Sequence, residues 1–206
     1  MTHILFVCHG NICRSTMAEY VMKHLVKSAG LEGEFYIDSA ATSREEIGSG
    51  VHHGTRRKLA QMGVPCGNHR ARQMTRDDYE EFDLLIGMDS ANIRSMERIA
   101  GGDSEKKIYK ILWFVNCEQM GTPESRRAAF WGEDLARKPV LRPTAACGGS
   151  WAEMEQGSGA RNARQGVPRK SGLCDDDVKD PWYTGNFDET WDDVYEGCTG
   201  LLEQLR

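Results

Sequence analysis

The chain lacks any C-x-x-C pair, and its seven cysteines are odd in number and irregularly spaced. That excludes a zinc ribbon and a disulfide scaffold, and it fits free thiols in a reducing cytoplasm. Long apolar runs are missing too. The run nearest the start, Ile4 to Val7, is too short for a signal peptide or a membrane span. There is no excess of positive charge: the formal net charge is −5 over 206 residues, which argues against a nucleic-acid binder that neutralises phosphates. Internal repeats, G-x-G-x-x-G and Walker loops are absent, so kinase and dehydrogenase readings have no support. What is present suits one globular domain, since 39% hydrophobic and 28% charged residues can build a core under a solvated surface.

Up to about Leu112 the chain alternates strand and helix signals. His3 to Val7 reads as a buried strand. Met17, Val21, Leu25 and Ser28 then recur at helical spacing, with His24 and Val26 beside them, and Gly30 ends the helix. Phe35 to Ile37 is a second strand, and Thr55 to Met62 a short helix closed by Gly63. Asp83 to Gly87 is a third strand, Ser90 to Ala100 a helix, and Lys107 to Leu112 a last strand. Strands separated by helices imply a parallel sheet covered on both faces, an α/β doubly wound fold. From Cys174 onward a pattern returns. Trp191, Val194, Tyr195, Cys198, Leu201, Leu202 and Leu205 form one apolar stripe of a helix that docks on the sheet.

Between them, residues 115–173 differ in composition. Leu, Ile, Val and Phe make up about 12% of the stretch, below what a separate core requires. It holds four of the six prolines and eight of the 22 glycines, and nine Lys and Arg against six Asp and Glu. So long a stretch without periodicity is not an ordinary loop. It reads as an insertion into a single domain spanning 1–206, expected to be flexible, with Trp131 and Trp151 available to pin parts of it.

The chemistry concentrates in Cys8-His-Gly-Asn-Ile-Cys-Arg14-Ser15, directly after the first strand and before the first helix. C-x5-R alone is weak, and it recurs at Cys66 to Arg72, but only the first copy lies in a strand–loop–helix unit. There the backbone N–H groups of the loop curl around an anion at a helix N-terminus. A cysteine beside that helix end and a guanidinium is favoured as the thiolate. Arg14 offers a planar fork to two phosphate oxygens, Gly10 permits a sharp turn, and Ser15 can donate to the sulfur and help expel it. A thiolate nucleophile still needs an acid for its leaving group. Asp180-Pro-Trp-Tyr183 supplies a rigid turn with two aromatics, Trp182 and Tyr183, to wall a cleft. The rival run Asp175, Asp176 and Asp177 reads as a solvated linker.

At these residues the sequence resembles the low-molecular-weight protein tyrosine phosphatases. The resemblance rests on Val7 to Ser15, Ile37-Asp-Ser-Ala-Ala-Thr42, Ala71-Arg-Gln73 after His69, Ile86-Gly-Met-Asp89 and Asp180 to Tyr183. It implies a small parallel four-stranded sheet flanked by helices, and hydrolysis of phosphotyrosine through a phosphocysteine without metal or cofactor. Carried over by motif position, Cys8 is the nucleophile, Arg14 the phosphate clamp and Asp180 the general acid, then base. His9, Gly10, Asn11, Ile12, Cys13 and Ser15 form the phosphate-binding loop. Asn11, Ser15, Ser39 and His69 match the polar network that shapes it, and Asp89 a buried carboxylate that supports it. Cys13 matches a second loop cysteine that can trap an oxidised nucleophile as a disulfide; the plainer reading is a small packing residue. The implied partner is a phosphotyrosine-containing protein, such as a tyrosine kinase, in the cytoplasm, with neither nucleic acid nor membrane involved.

Ile12 resembles the tyrosine-type members, whereas Thr at that position marks the related protein-arginine phosphatases. Arsenate reductases of this fold need a relay pair of cysteines beyond the third strand, and none lies between Cys66 and Cys117. Glu45 stands where some members carry an aromatic at the substrate cleft, so substrate preference is expected to differ. The large departure is the insertion before Asp180. It reads as a tolerated loop, a partner-binding segment or a product of gene rearrangement. Loop closure over such a length costs little, but a displaced Asp180 would leave a phosphotyrosine-binding module with weak catalysis.

Overall fold

The inner strand β1 (Thr2–Cys8) divides the core in two. Its odd and even residues point to opposite faces, and both faces are covered, so the strand is almost continuously apolar. On one side Ile4, Phe6 and Cys8 join Leu84 and Ile86 in the larger core cluster; on the other Leu5 and Val7 join Leu85, Met74 and Met96. The structure, a computed structural model, describes residues 1–115 and 177–206, all of which fall in one compact unit. The insertion expected at 115–173, with Trp131 and Trp151, lies outside the described residues except for Val115.

The remaining elements are α1 (Arg14–Ser28), β2 (Phe35–Ala41), α2 (His53–Gln61), α3 (Arg76–Glu81), β3 (Leu84–Gly87), α4 (Ser90–Ala100) and β4 (Ile108–Lys110). A 3-10 turn, Ile111–Phe114, follows, and after the insertion come α5 (Pro181–Thr184) and α6 (Phe187–Leu205). The four strands run parallel in the order β2-β1-β3-β4. The expected doubly wound α/β fold is therefore present. Ile4 lies between Ile37 and Leu84, and Cys8 opposite Ala41 at the carboxyl end of β1. The chain turns from β1 to β2 on one side and then to β3 on the other. A crevice opens at that switch point, outside the strand ends, where doubly wound proteins bind ligands.

Several expected boundaries shift. β2 runs on to Ala41, well past the expected end at Ile37, because Ala40 and Ala41 still pair with Val7 and Cys8. The last strand ends at Lys110; Ile111 and Leu112 belong to the 3-10 turn instead. α3 was not expected; Thr75 and Asp78 exchange a capping box at its start. Ser28 is exposed, and Tyr195, 44% exposed, leaves the stripe of α6 to stack on Trp191 at the surface. α6 still docks closely. A Cβ on Gly200 would stand 2.3 Å from the Phe114 carbonyl oxygen, so only glycine lets the 3-10 turn lie against the helix.

Candidate active site

Only five residues, His9 to Cys13, separate the end of β1 from the start of α1, so the chain must reverse direction within them. Asn11 makes this possible with a left-handed φ of 57°. Its buried side chain then ties the loop together. Asn11 Nδ2 donates to Ser15 Oγ at 3.0 Å and to Ser39 Oγ at 2.8 Å, while Oδ1 accepts from the Arg72 amide at 3.1 Å. Outside braces complete the cradle. Thr42 N donates to Cys8 O, Ser43 N to His9 O, and His52 N to Ile12 O, at 2.8 to 3.0 Å. His69 Nε2 donates to Asn11 O at 2.8 Å.

These donors also fix the direction of the hydroxyl protons. Ser15 Oγ already accepts from Asn11, so its own hydrogen is available to Cys8 Sγ, 3.1 Å away. The sulfur also receives the Asn11 amide at 3.3 Å. Ser39 Oγ, accepting from Asn11, donates to Glu19 Oε2 at 2.5 Å. Glu19 ends this chain of bonds, held by Lys23 at 2.5 Å. Sequence reasoning missed Glu19. The available signal was a carboxylate on the buried face of α1 among Met17, Ala18, Val21 and Met22.

Arg14 is buried and reaches forward from the first position of α1. Nη1 donates to Asp89 Oδ2 at 2.6 Å and to the Val178 carbonyl at 3.2 Å; Nη2 donates to Asp180 Oδ2 at 2.5 Å. Burial works against the guanidinium's charge, but Cys8, Asp180 and Asp89 outweigh it and hold its pKa above the ordinary value. Arg14 is a fixed cation. Asp89 is less buried than expected, its side chain 18% exposed, because it also caps α4 by accepting from Asn92 N at 2.6 Å. The same burial of the loop pushes the Cys13 thiol up to about 12, reinforced by Cys8 and Asp180.

Cys8, Arg14, Asp89 and Asp180 line one cleft of about 340 Å³. His9, Gly10, Ile12 and Cys13 form its floor and one wall, and Trp182 and Tyr183, 57% and 84% exposed, form another. Glu45 and Glu46 complete the rim; Glu45 is paired with His9 at 3.0 Å. Asn11, Ser15, Ser39 and His69 do not line the cleft but stand behind its loop, so the side chains of Asn11 and Ser15 are supports. The acidic run before Asp180 is not wholly a solvated linker. Asp177 accepts from Ser90 N at 2.9 Å and from Lys110 at 2.7 Å, while Asp175 and Asp176 lie outside the described residues. The second C-x5-R, Cys66 to Arg72, has neither strand nor helix around it, and its Arg72 is spent on Asp38 and Asp78. Among the described residues no three His, Cys, Asp or Glu side chains gather as metal ligands, and no helix is long and apolar enough to cross a membrane.

Comparison with known proteins agrees with this geometry. A profile of the low molecular weight phosphotyrosine protein phosphatases matches residues 3–124. The low molecular weight protein-tyrosine-phosphatase YfkJ of Bacillus subtilis is 31% identical over 206 residues, 100% of this chain and 97% of that protein. Its crystal structure superposes with a TM-score of 0.68, covering 98% of this chain and 93% of the other. The low molecular weight phosphotyrosine protein phosphatase of Gallus gallus is 44% identical over 95 residues, 46% of this chain and 60% of that protein. A structure of a similar phosphatase, SP-PTP from Streptococcus pyogenes, has a TM-score of 0.64 at 28% identity, covering 100% of this chain and 94% of that one. With a thiol, a fixed guanidinium and a carboxyl converging at the carboxyl end of β1, and with relatives matched along the whole chain, the protein belongs to the low molecular weight phosphotyrosine protein phosphatase family.

Proposed function

We propose that the chain hydrolyses phosphotyrosine in proteins through a phosphocysteine on Cys8. The observation that carries this is the 2.5 Å contact between Arg14 and Asp180 in a cleft that also contains Cys8. Arg14 and the loop amides bind the equatorial phosphate oxygens and stabilise the charge that develops there. The sulfur attacks phosphorus, the ester P–O bond breaks, and Asp180 gives its proton to the departing phenoxide. A water then attacks phosphorus, Asp180 takes its proton, and the sulfur leaves with the Ser15 hydroxyl donating to it. No cofactor enters this chemistry.

The aromatic pair Trp182 and Tyr183 supports an aryl substrate at the mouth of the cleft. Glu45, bound to His9, gives the rim a polar side chain in place of an aromatic one, which weakens stacking there. The partner is a phosphotyrosine-bearing protein, a tyrosine kinase being one such candidate, and a reducing cytoplasm suits the thiols. We read 1–206 as one catalytic domain with an insertion. The anchoring of Asp177 on Lys110 and Ser90 supports this, because the chain resumes beside the strand that precedes the insertion. A binding module with a displaced acid would require Asp180 to be away from Arg14, and their contact opposes it.

The test is phosphate release from a phosphotyrosyl peptide by the full chain. Cys8→Ser abolishes release, and Asp180→Ala lowers it by about 10²–10⁴-fold. Unchanged release in the Cys8→Ser variant would overturn the reading.

A further inference from the structure

We propose that His52 is a positioning residue for Asp180, holding the turn that carries the acid against the phosphate loop; this rests on the reading of Asp180 as the general acid. Three observations meet at this side chain. Its backbone amide donates to the Ile12 carbonyl at 2.9 Å, which fixes it to the loop. Its Nδ1 accepts from Gly54 N at 3.2 Å, capping α2 and orienting the ring. The ring lies flat on Phe187, 5.4 Å between centroids and 9° between planes, and meets Trp182 edge-on at 5.7 Å.

Trp182 and Phe187 flank the turn that Asp180 opens. Asp180 Oδ1 accepts from Trp182 N at 3.0 Å, so the placement of Trp182 bears directly on the carboxyl. Phe187 is the first residue of α6 and also packs on Ile12, Cys13 and Ala71. Space for its ring exists because residue 54 is glycine; a Cβ there would stand 2.3 Å from Phe187 Cε2. Lys58 extends the same contact, reaching Asp188 at 2.8 Å. The turn is thus fixed at one end by Val178, whose amide donates to Met88 O at 2.8 Å, and at the other by the face of His52.

A carboxyl displaced by about 1 Å loses on the order of 10²-fold in its step, and that loss depends on how much the leaving group needs a proton. The experiment measures kcat/KM for aryl phosphates of increasing leaving-group basicity, from p-nitrophenyl to phenyl phosphate, with thermal unfolding followed alongside. For His52→Ala we expect about a tenfold or larger loss on phenyl phosphate and less than about twofold on p-nitrophenyl phosphate. His52→Phe, which keeps the stacking face, restores most of the rate, and His52→Asn, which keeps only the cap, does not. Phe187→Leu reproduces the His52→Ala pattern and serves if that variant does not fold. In an Asp180→Asn background, His52→Ala causes no further loss. Equal losses on all substrates, or an undiminished effect in the Asp180→Asn background, would overturn the proposal. A wild-type chain without turnover would instead overturn the reading of the site as a phosphatase.

Discussion

Arg14 Nη2 and Asp180 Oδ2 lie 2.5 Å apart, although one residue opens the first helix and the other follows the insertion. The other nitrogen of the same guanidinium holds Asp89 at 2.6 Å. The fork therefore sets the distance between the phosphate loop and the acid. Lysine keeps the charge but has one nitrogen and no fork. Arg14→Lys should lower kcat/KM for a phosphotyrosyl peptide by about 10²–10³-fold, the range found when one donor to a developing oxyanion is lost. A loss below tenfold would show that charge alone suffices.

Cys8 and Cys13 belong to one loop but differ in setting. Burial, with Cys8 and Asp180 adding to it, pushes Cys13 up to about 12, so at neutral pH it remains a thiol. Iodoacetamide at pH 7, followed by peptide mapping, should label Cys8 and leave Cys13 unlabelled over the same interval. Cys13→Ser should keep kcat within a few-fold. Equal labelling of the two cysteines would contradict this assignment.

Asn11 combines a left-handed φ of 57° with three side-chain hydrogen bonds, those to Ser15 and Ser39 buried and that from the Arg72 amide partly buried. Alanine there keeps the unfavourable φ and leaves Ser15, Ser39 and the Arg72 amide short of a partner. Asn11→Ala should cost about 2–4 kcal/mol in urea unfolding and lower kcat as well. Unchanged stability with reduced kcat would mean that the loop is held by its backbone braces alone.

Where the chain returns to the domain, burial raises the pKa of Asp177, but hydrogen bonds from Lys110 and Ser90 outweigh it and hold the carboxyl below the ordinary value of 3.8. A depressed carboxylate stabilises the fold above its unfolded pKa, and this contribution is lost as pH falls through the folded value. Asp177→Asn should therefore lower the urea midpoint at pH 7, with the gap from wild type closing below about pH 3.8. Because the group is partly exposed, salt should shrink the gap as well. A gap that persists at pH 2 would indicate lost packing.

Much of the site was legible because its parts are local. Strand, loop and helix around Cys8 to Arg14 follow one another in sequence, and Asp180-Pro181 marks a turn by its own chemistry. The Val178 carbonyl and His52 were not legible, since each acquires its role from a partner distant in sequence. α3 could have been found from Thr75 and Asp78, whose T-x-x-D spacing is a capping box, but six residues carry too little periodicity to declare a helix. Tyr195 matched the spacing of the α6 stripe, yet a ring at the stripe's edge is free to turn outward onto Trp191. Ser28 fell at the end of α1, beyond the core.

The most direct test of the chemistry is to trap the covalent intermediate. The full chain is mixed with a phosphotyrosyl peptide, quenched within the first turnovers and digested, and the phosphoryl group is located by mass spectrometry. It should be found on Cys8, and with p-nitrophenyl phosphate, whose leaving group needs little help from an acid, more abundantly when Asp180→Asn slows its hydrolysis. A phosphoryl group on Ser15, or none on any residue while phosphate release continues, would contradict a phosphocysteine mechanism.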